Sequence, residues 1–507
     1  MKRVKSGKRF SVKLNLSDNL PWKVYQQVAQ DLGYTPLSAP DVFGAIRNRN
    51  YRMLHEAVAR FEPRSMLKTF GRRIDRSYAF FRGYQLSTFL KKYPFPGVDT
   101  KTPAVESFYS AERVCSLFNK ENYRALEVLS QSHPKYYGVV EEIQRDILRC
   151  VGEVPQLASI IGHAKHGPGT SLGDLYKGGK VTSYYKWSSL PYTVTRACVP
   201  LAKAAIESDP RWVGALHNWH REKFAIPMWT PLNMDFFWSS VLSEVDGSRI
   251  TTVPKTALTD RTIAIEPLLN VYLQLGVDHV LKKALRRNWG YDLRSQEQNQ
   301  ELALEGSVAD NFATVDLKAA SDSISLKICE MLLPPLWYDL LLDLRSPKGD
   351  IGGKQHTFEK ISSMGNGYTF ALESLIFGAL VRCAIRRTGS VRKSAVYGDD
   401  LVLPSTACAY LYDLLSLCGF AVNADKSFTY GPFRESCGMD FFLGHNVRPV
   451  FLTRSLKTVP DLFYIHNTLD SVEKRVPWFW EVDFSRTKSL VRKQIPLWIQ
   501  EQFSGPP

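Results

Sequence analysis

Cysteine is scarce in this 507-residue chain, and what there is lies scattered. Cys115, Cys150, Cys198, Cys329, Cys383, Cys408, Cys418 and Cys437 include no Cys-x-x-Cys pair. That spacing argues against a zinc site and a disulfide scaffold, and suits a reducing cytoplasm. No run of about 18 uncharged apolar residues occurs, so no helix is expected to span a membrane. Met1-Lys2-Arg3-Val4-Lys5 is basic, but no apolar stretch follows, so no signal peptide is expected. Internal repeats, low-complexity tracts and an obvious flexible linker are missing as well. Negative charge is the last shortage: 50 Asp+Glu stand against 65 Lys+Arg, a net charge of +15.

An excess of that size suits a large polyanion as partner, although solubility alone would also account for it. With 44% hydrophobic residues the chain can bury a sizeable core. Its length suits about three domains of ~150 residues each, or one large interlocked fold.

The densest chemical signal is Tyr397-Gly398-Asp399-Asp400, set between Ser394-Ala395-Val396 and Leu401-Val402-Leu403. Short β-prone runs around a Gly-Asp pair predict a tight hairpin with two carboxylates at its tip. Like charges that close repel unless cations lie between them, so the pair is a candidate metal site. A solvated turn with a spare acid is the plain alternative. Upstream, Phe312-Ala313-Thr314-Val315 predicts a strand that ends at Asp316. Ser321-Asp322-Ser323 then offers N-caps for a helix carrying Ile324, Ile328, Met331 and Leu332, which Pro334-Pro335 stops. Gly365-Asn366-Gly367 predicts a mobile loop before a second helix whose Leu372, Leu375, Ile376, Ala379 and Cys383 line one face, with Gly389 at its end. A helix over about 406–418 closes at Gly419, and Phe420-Ala421-Val422-Asn423 extends as a strand towards Lys426. This order fits a sheet with helices on one face, an α+β fold.

If the strands carrying Asp316 and Asp399-Asp400 are neighbours, three carboxylates converge at one sheet edge. Mg²⁺ takes one or two carboxylates plus substrate phosphates and water, so the trio suits two Mg²⁺ ions, or Mn²⁺ in their place. Two ions about 3.5–4 Å apart clamp the attacking and leaving oxygens of a phosphoryl displacement. Lys255 and Arg261 lie six residues apart in a strand-like stretch. They are candidates to grip a triphosphate, Arg through its bidentate fork; a salt bridge of Arg261 to Asp260 or Glu266 is the alternative. Arg382, Arg386, Arg387, Arg392 and Lys393 form a basic stretch suited to a nucleic-acid backbone or, equally, a charged helix face. Residues 1–250 are aromatic-rich, with helices expected near 104–118 and 196–208. Their best candidate is His163 to Ser171, whose Gly167-Pro168-Gly169 turn would offer backbone N–H groups to a phosphate or simply turn the surface.

With these pieces assembled, the chain resembles the replicase β subunit of single-stranded RNA bacteriophages, an RNA-directed RNA polymerase. The likeness runs from Val253-Pro254-Lys255 and Asp260-Arg261 through Glu305-Gly306-Ser307-Val308 and Ala313 to Ser325. It continues in Ser363-Met364-Gly365-Asn366-Gly367-Tyr368-Thr369-Phe370, the Tyr397 to Asp400 turn, and Gly431 to Gly438. The resemblance implies a right-hand polymerase with an antiparallel palm sheet. Fingers and the N-terminal region would take 1–250, fingers strands 251–312, the palm 313–450, and a short thumb 451–507. It implies metal ligands at Asp316, Asp399 and Asp400, nucleotide contacts at Lys255 and Arg261, and Lys426 as the lysine that protonates pyrophosphate. Gly365, Asn366 and Thr369 belong to the nucleotide-binding pattern, where Glu373 replaces an Asn that many RNA polymerases use to read the ribose. Implied partners are single-stranded RNA template and product, ribonucleoside triphosphates, and host elongation factors Tu and Ts, in the cytoplasm of the bacterial host with no membrane. Reverse transcriptases share a Tyr-x-Asp-Asp turn but place a bulky aromatic shortly after the first metal-binding Asp. Here Lys318-Ala319-Ala320-Ser321-Asp322 is small and polar, and Asp322 is placed to hydrogen-bond a 2′-OH, which favours ribonucleotides. A non-catalytic RNA-binding protein would use the charge and the 12% aromatics, but gives no reason for three acids beside a cationic stretch.

Overall fold

The Phe312–Val315 strand, the Asp400–Pro404 strand and the Ala395–Tyr397 strand form an antiparallel sheet with Asp400–Pro404 in the middle. Apart from Thr314 and the leading Asp400 these segments are apolar, and the period-2 rule sorts them onto two covered faces. Ala313, Val315, Val396, Leu401 and Leu403 join the largest hydrophobic core, while Phe312, Ala395 and Val402 pack with Leu302 on the opposite face. The Thr369–Arg387 helix covers the first face and the Glu297–Ala309 helix, which carries Leu302, the second. Helices on one face were expected; the sheet is covered on both. Asn299 of the second helix donates to the Asp400 carbonyl at 3.0 Å, tying helix to sheet. The computed structural model describes residues 14, 16–70, 76–174, 183–225, 231–391 and 393–500. Met1 to Lys5 and Arg392 therefore lie outside the described residues.

A second sheet stands upstream and is mixed. Asp260–Ile265 pairs antiparallel with Gly247–Pro254, which pairs parallel with Lys348–Ile351, and Lys354–Thr357 closes the edge. The Leu268–Trp289 helix and the Thr369–Arg387 helix pack against each other. From Ala371 to Val381 every residue of the latter is buried, so its apolar positions surround the axis rather than lining a stripe. A second core joins N-terminal residues, among them Tyr25, Phe43, Phe80 and Phe89, to C-terminal ones such as Phe433, Leu462 and Trp480. Among the described residues no helix is long and apolar enough to cross a membrane.

Helices expected near 104–118 and 196–208 are Lys101–Leu117 and Val199–Glu207. The helix after Asp316 starts later than expected. Ala320–Asp322 is a 3₁₀ turn, and Ser325 is the N-cap, its hydroxyl accepting from the Ile328 N–H at 3.2 Å ahead of Leu326–Leu332. Ser325 won because its extended backbone (φ −69°, ψ 159°) aims its oxygen at the first turn, as a cap requires. The Gly365 loop is not open. A Cβ at Gly365, whose φ is 109°, would lie 2.2 Å from the Ala264 carbonyl oxygen. The Ala264 N–H donates to Met364 O at 2.7 Å, so the loop is pressed onto the strand that carries Arg261. The His163 to Ser171 turn is fastened from inside. Buried Lys186 donates to Gly169 O and to Ser171 Oγ, and His166 is buried against Trp187 and Tyr272.

Candidate active site

Gly398 and Asp399 are the two residues between paired Tyr397 and Asp400. Gly398 has φ 64° while Asp399 does not take a positive φ, the pattern of a type II′ hairpin, which needs glycine first. A Cβ at Gly398 would meet Phe370 Cε2 at 2.6 Å and Glu373 Oε1 at 2.9 Å, so glycine also lets the turn rest on the Thr369–Arg387 helix. The Gly398 N–H donates to Ser374 Oγ at 2.9 Å.

Register brings the third acid in. Leu401 pairs with Val315, and one step further places Asp316 opposite Asp400. Opposed residues in an antiparallel pair share a face, with Cβ atoms about 4.5–5.5 Å apart. The segment after Ala421–Val422 holds Asp316 from the other side. Asp316 N–H donates to Ser427 Oγ at 3.1 Å, Asn423 N–H donates to Asp316 O at 2.9 Å, and Asn423 Nδ2 donates to Asp316 Oδ1 at 2.7 Å. Lys426 Nζ stands 3.6 Å from Asp316 Oδ2 and 3.9 Å from Glu435 Oε1. Burial, then Asp316, pushes the Asp399 carboxyl above its usual range. Burial, then Asp399, pushes Asp400 up to about 7, with Asp316 and Glu435 adding. Burial opposes the charge on Lys426, but Glu435 and then Asp316, Asp400 and Asp399 outweigh it and raise its pKa.

Lys255 follows Gly247–Pro254, and Arg261 pairs with Val253 across the hairpin, so both cations sit at one end of that sheet. Neither forms an ion pair among the described residues. The protein around Lys255, then Arg261 and Lys426, pulls its ammonium below the usual lysine range, while Asp316 and Asp399 pull the other way. Asp322 Oδ1 accepts from Lys360 Nζ at 2.7 Å. Asn366 Oδ1 accepts from Tyr368 N–H at 3.0 Å and Thr369 Oγ1 donates to Ser363 O at 3.2 Å, so both brace the loop.

Three acids and three cations thus face one another, brought in from four separate stretches of chain. The basic stretch does not join them. Arg386 and Arg387 both donate to Glu142 at 2.7 Å, and Arg386 Nη2 is 2.6 Å from Asp146. Sequence reasoning missed Glu435, Asn423 and Lys360, and left Glu373 without a role. Glu435 is pushed up by burial against the pull of Lys426, and only the pairing of Phe433–Ser436 with Met439–Phe442 sets it beside the site. Among the described residues no three His, Cys, Asp or Glu are set as a ready metal cage. Hard carboxylate oxygens, two of them held above their usual pKa by burial and by neighbouring acids, still fit Mg²⁺, which takes few protein ligands and completes its shell with substrate and water.

Half-buried acids facing Lys255, Arg261 and Lys426 suit a phosphate-handling enzyme. Residues 54–476 match the family model described as RNA replicase, beta-chain. The chain belongs to that family. It is 37% identical over 434 residues to the RNA-directed RNA polymerase subunit beta of Escherichia virus Qbeta, covering 84% of this chain and 68% of that one. The corresponding subunit of Enterobacteria phage SP is 37% identical over 383 residues (74% and 60%). The beta chain of Enterobacteria phage fr is 41% identical over 231 residues (45% and 41%). The chain therefore spans about two thirds or less of the length of these relatives. A chain solved among "In situ structures of the segmented genome and RNA polymerase complex inside a dsRNA virus" superposes with a TM-score of 0.43 at 11% identity, over 94% of this chain and 45% of that one.

Proposed function

We propose that this chain is an RNA-directed RNA polymerase, a nucleotidyltransferase that adds ribonucleotides to an RNA 3′ end while replicating a phage genome. Family membership supports the activity, and the meeting of Asp316 with the Asp399-Asp400 hairpin across one sheet register is the observation that carries the site. In this reading the molecule is a right hand, with fingers over 1–312, a palm over 313–450 and thumb residues from 451 on.

Asp316, Asp399 and Asp400 would hold two Mg²⁺ ions, which when bound activate the attacking 3′-hydroxyl and stabilise charge on the leaving pyrophosphate. Lys255 and Arg261, unpaired with any acid among the described residues, bind the triphosphate. Lys426, held charged by Glu435 and Asp316, keeps a proton at Nζ for the pyrophosphate oxygen. Asp322, oriented by Lys360, accepts a hydrogen bond from the ribose 2′-OH. The packed Gly365 to Thr369 loop seats the nucleotide beside the Arg261 strand. Template, product and nucleoside triphosphates are the binding partners; membership of a beta-chain family supports other replicase subunits beside it, proposed here to be host elongation factors Tu and Ts in the host cytoplasm.

Asp399→Asn and Asp316→Ala should each abolish primer-independent incorporation of labelled ribonucleotides while RNA binding stays near wild type. Near-normal synthesis by either variant overturns the assignment. Substituting Lys255 or Arg261 should mainly raise the KM for nucleotides; a change confined to template affinity would remove them from that role.

A further inference from the structure

Asn423 sets both its backbone and its side chain on one acid. Its N–H donates to Asp316 O at 2.9 Å and its Nδ2 donates to Asp316 Oδ1 at 2.7 Å. An ionised carboxylate only accepts, so the amide turns its NH₂ rather than its carbonyl toward that oxygen. Oδ2 is left differently. It accepts no hydrogen bond among the described residues, and Lys426 Nζ stays 3.6 Å away. The two oxygens of one carboxylate are therefore unequal, one committed to the protein and the other open. Asn423 is itself held in place. Its carbonyl accepts from the Lys426 N–H at 3.1 Å, and Ser427 Oγ accepts the Asp316 N–H and donates to Asp316 O at 3.2 Å. Phe428 and Thr314 exchange backbone hydrogen bonds at 2.8 and 3.1 Å. Arg64, from the N-terminal part of the chain, donates through Nη2 to Ser427 O at 2.7 Å. The stretch from Asn423 to Phe428 is thus fastened along the strand that ends at Asp316.

We infer that Asn423 is a positioning residue that makes Asp316 a one-oxygen metal ligand and so biases the site toward Mg²⁺ over larger cations. The inference rests on the polymerase reading above and deepens it. A carboxylate with both oxygens free can chelate one ion, a mode that the loose, many-oxygen shell of Ca²⁺ accepts. Mg²⁺ is smaller, demands near-octahedral order and keeps much of its water, so a single oxygen held at a fixed angle suits it better. Asn423 supplies both conditions. The partly positive amide hydrogen keeps a cation off Oδ1, and the same bond stops the carboxylate from turning. Groups that orient metal ligands from behind are worth about 10- to 100-fold in metal affinity.

The test compares wild type, Asn423→Ala, Asn423→Asp and Ser427→Ala as full chains. Mn²⁺ binding without nucleotide is followed by electron paramagnetic resonance, and Mg²⁺ and Ca²⁺ are titrated against it in competition. The Asn423→Ala protein should bind Mg²⁺ about 10- to 100-fold more weakly while Ca²⁺ changes by less than about threefold, so its preference shifts toward Ca²⁺. In nucleotide incorporation its half-saturating Mg²⁺ should rise by the same factor, with kcat recovering at saturating Mg²⁺. Asn423→Asp keeps the shape without the donor and should lose the Mg²⁺ preference as well. Ser427→Ala disturbs only the backbone of Asp316 and should keep the wild-type preference, whatever its overall rate. A preference that neither Asn423 variant moves, even with kcat lowered, overturns the inference and leaves Asn423 as a structural tie. An equal shift in Ser427→Ala overturns it too. If the Asn423→Ala protein does not fold, the isosteric Asp variant decides. A wild type that binds no Mn²⁺ sinks the metal reading of the three acids instead, so the two failures are distinct.

Discussion

Lys360 has 0% side-chain exposure, and its ammonium lies 2.7 Å from Asp322 Oδ1 and 3.3 Å from Glu112 Oε1, itself 3% exposed. The Phe108 ring is 3.9 Å away on the open side, and Phe358 at 5.4 Å adds a second face. Glu112 in turn accepts from Glu359 N–H at 2.8 Å and bonds His356 at 3.1 Å. One buried cation is therefore shared by two carboxylates, Glu112 fully buried and Asp322 largely so. Lys360→Met keeps length and apolar contact with the rings but removes the charge. Breaking a buried ion pair from one side costs about 3–5 kcal/mol, because the remaining acids stay buried without compensation. Exposed pairs are worth only about 0–1 kcal/mol, so the magnitude itself reports the burial. A chain of this size does not promise two-state unfolding, so hydrogen exchange is the better readout. Amides of the Leu326–Leu332 helix, joined to this place by the pairing of Ser325 with Lys360, should exchange about 100- to 1,000-fold faster at about 1.4 kcal/mol per tenfold. Adding Glu112→Gln to Lys360→Met should recover about 1–3 kcal/mol, the coupling of neighbours in one network. The same variant frees Asp322 and should erode ribose selection. Exchange within about threefold of wild type, or no recovery in the double variant, would refute the idea that this lysine holds the two acids.

Asp440 tests the pH side. Burial, then Glu435, lifts it to about 8, while the Tyr84 hydroxyl donates to Oδ1 at 3.1 Å and Arg448 and Lys426 pull the value down. Unfolded, the group titrates near about 3.9. Below about pH 4 both states keep the proton; from about 4 to 8 only the unfolded state releases it, so the stability it contributes falls as pH rises. Asp440→Asn keeps an acceptor for Tyr84 and should flatten that slope, raising the urea midpoint at about pH 8 and changing little at about pH 4.5; equal pH slopes in both proteins would count against it. Arg386 and Arg387 are engaged by Glu142 and Asp146. Replacing both with Ala should leave the salt dependence of single-stranded RNA binding unchanged, whereas a slope lower by about 0.7 per arginine would show that they meet phosphates after all.

The hairpin was legible because its signal is local: two β-prone runs, a Gly-Asp turn and a preceding strand are all short-range facts. Asp316 joined it by one inference about neighbouring strands, which the register with Leu401 satisfies. What stayed illegible depends on distant pairings. The Lys348–Ile351 and Lys354–Thr357 strands carry few apolar residues, and their place comes from a parallel pairing with Gly247–Pro254 far upstream. The Glu297–Ala309 helix shows mostly polar residues, so nothing local announces that Leu302 covers the second face of the sheet. Lys360 and Glu112 are ordinary charges in sequence, and only folding puts them together out of water. The N-cap failed differently: Ser321, Ser323 and Ser325 are chemically equivalent, and backbone direction chose among them.

Net charge was the weakest guide of all, and the structure shows why. A surplus of +15 says nothing about where unpaired cations stand. The arginine-rich end of the Thr369–Arg387 helix is dense in positive charge along the sequence, yet Glu142 and Asp146 cancel much of it. Lys255 and Arg261, fewer and less conspicuous, form no ion pair among the described residues and face acids whose pKa values burial raises. Burial, then the neighbouring Asp399, lifts Asp400 to about 7, with Asp316 and Glu435 adding to the repulsion. An arrangement in that balance gains from a divalent cation between the acids and from a polyanion against the lysine and arginine, both at once. In the proposed reading, a nucleoside triphosphate carried with Mg²⁺ would supply the two charges together, so that binding it relieves the repulsion on both sides of the site in one step.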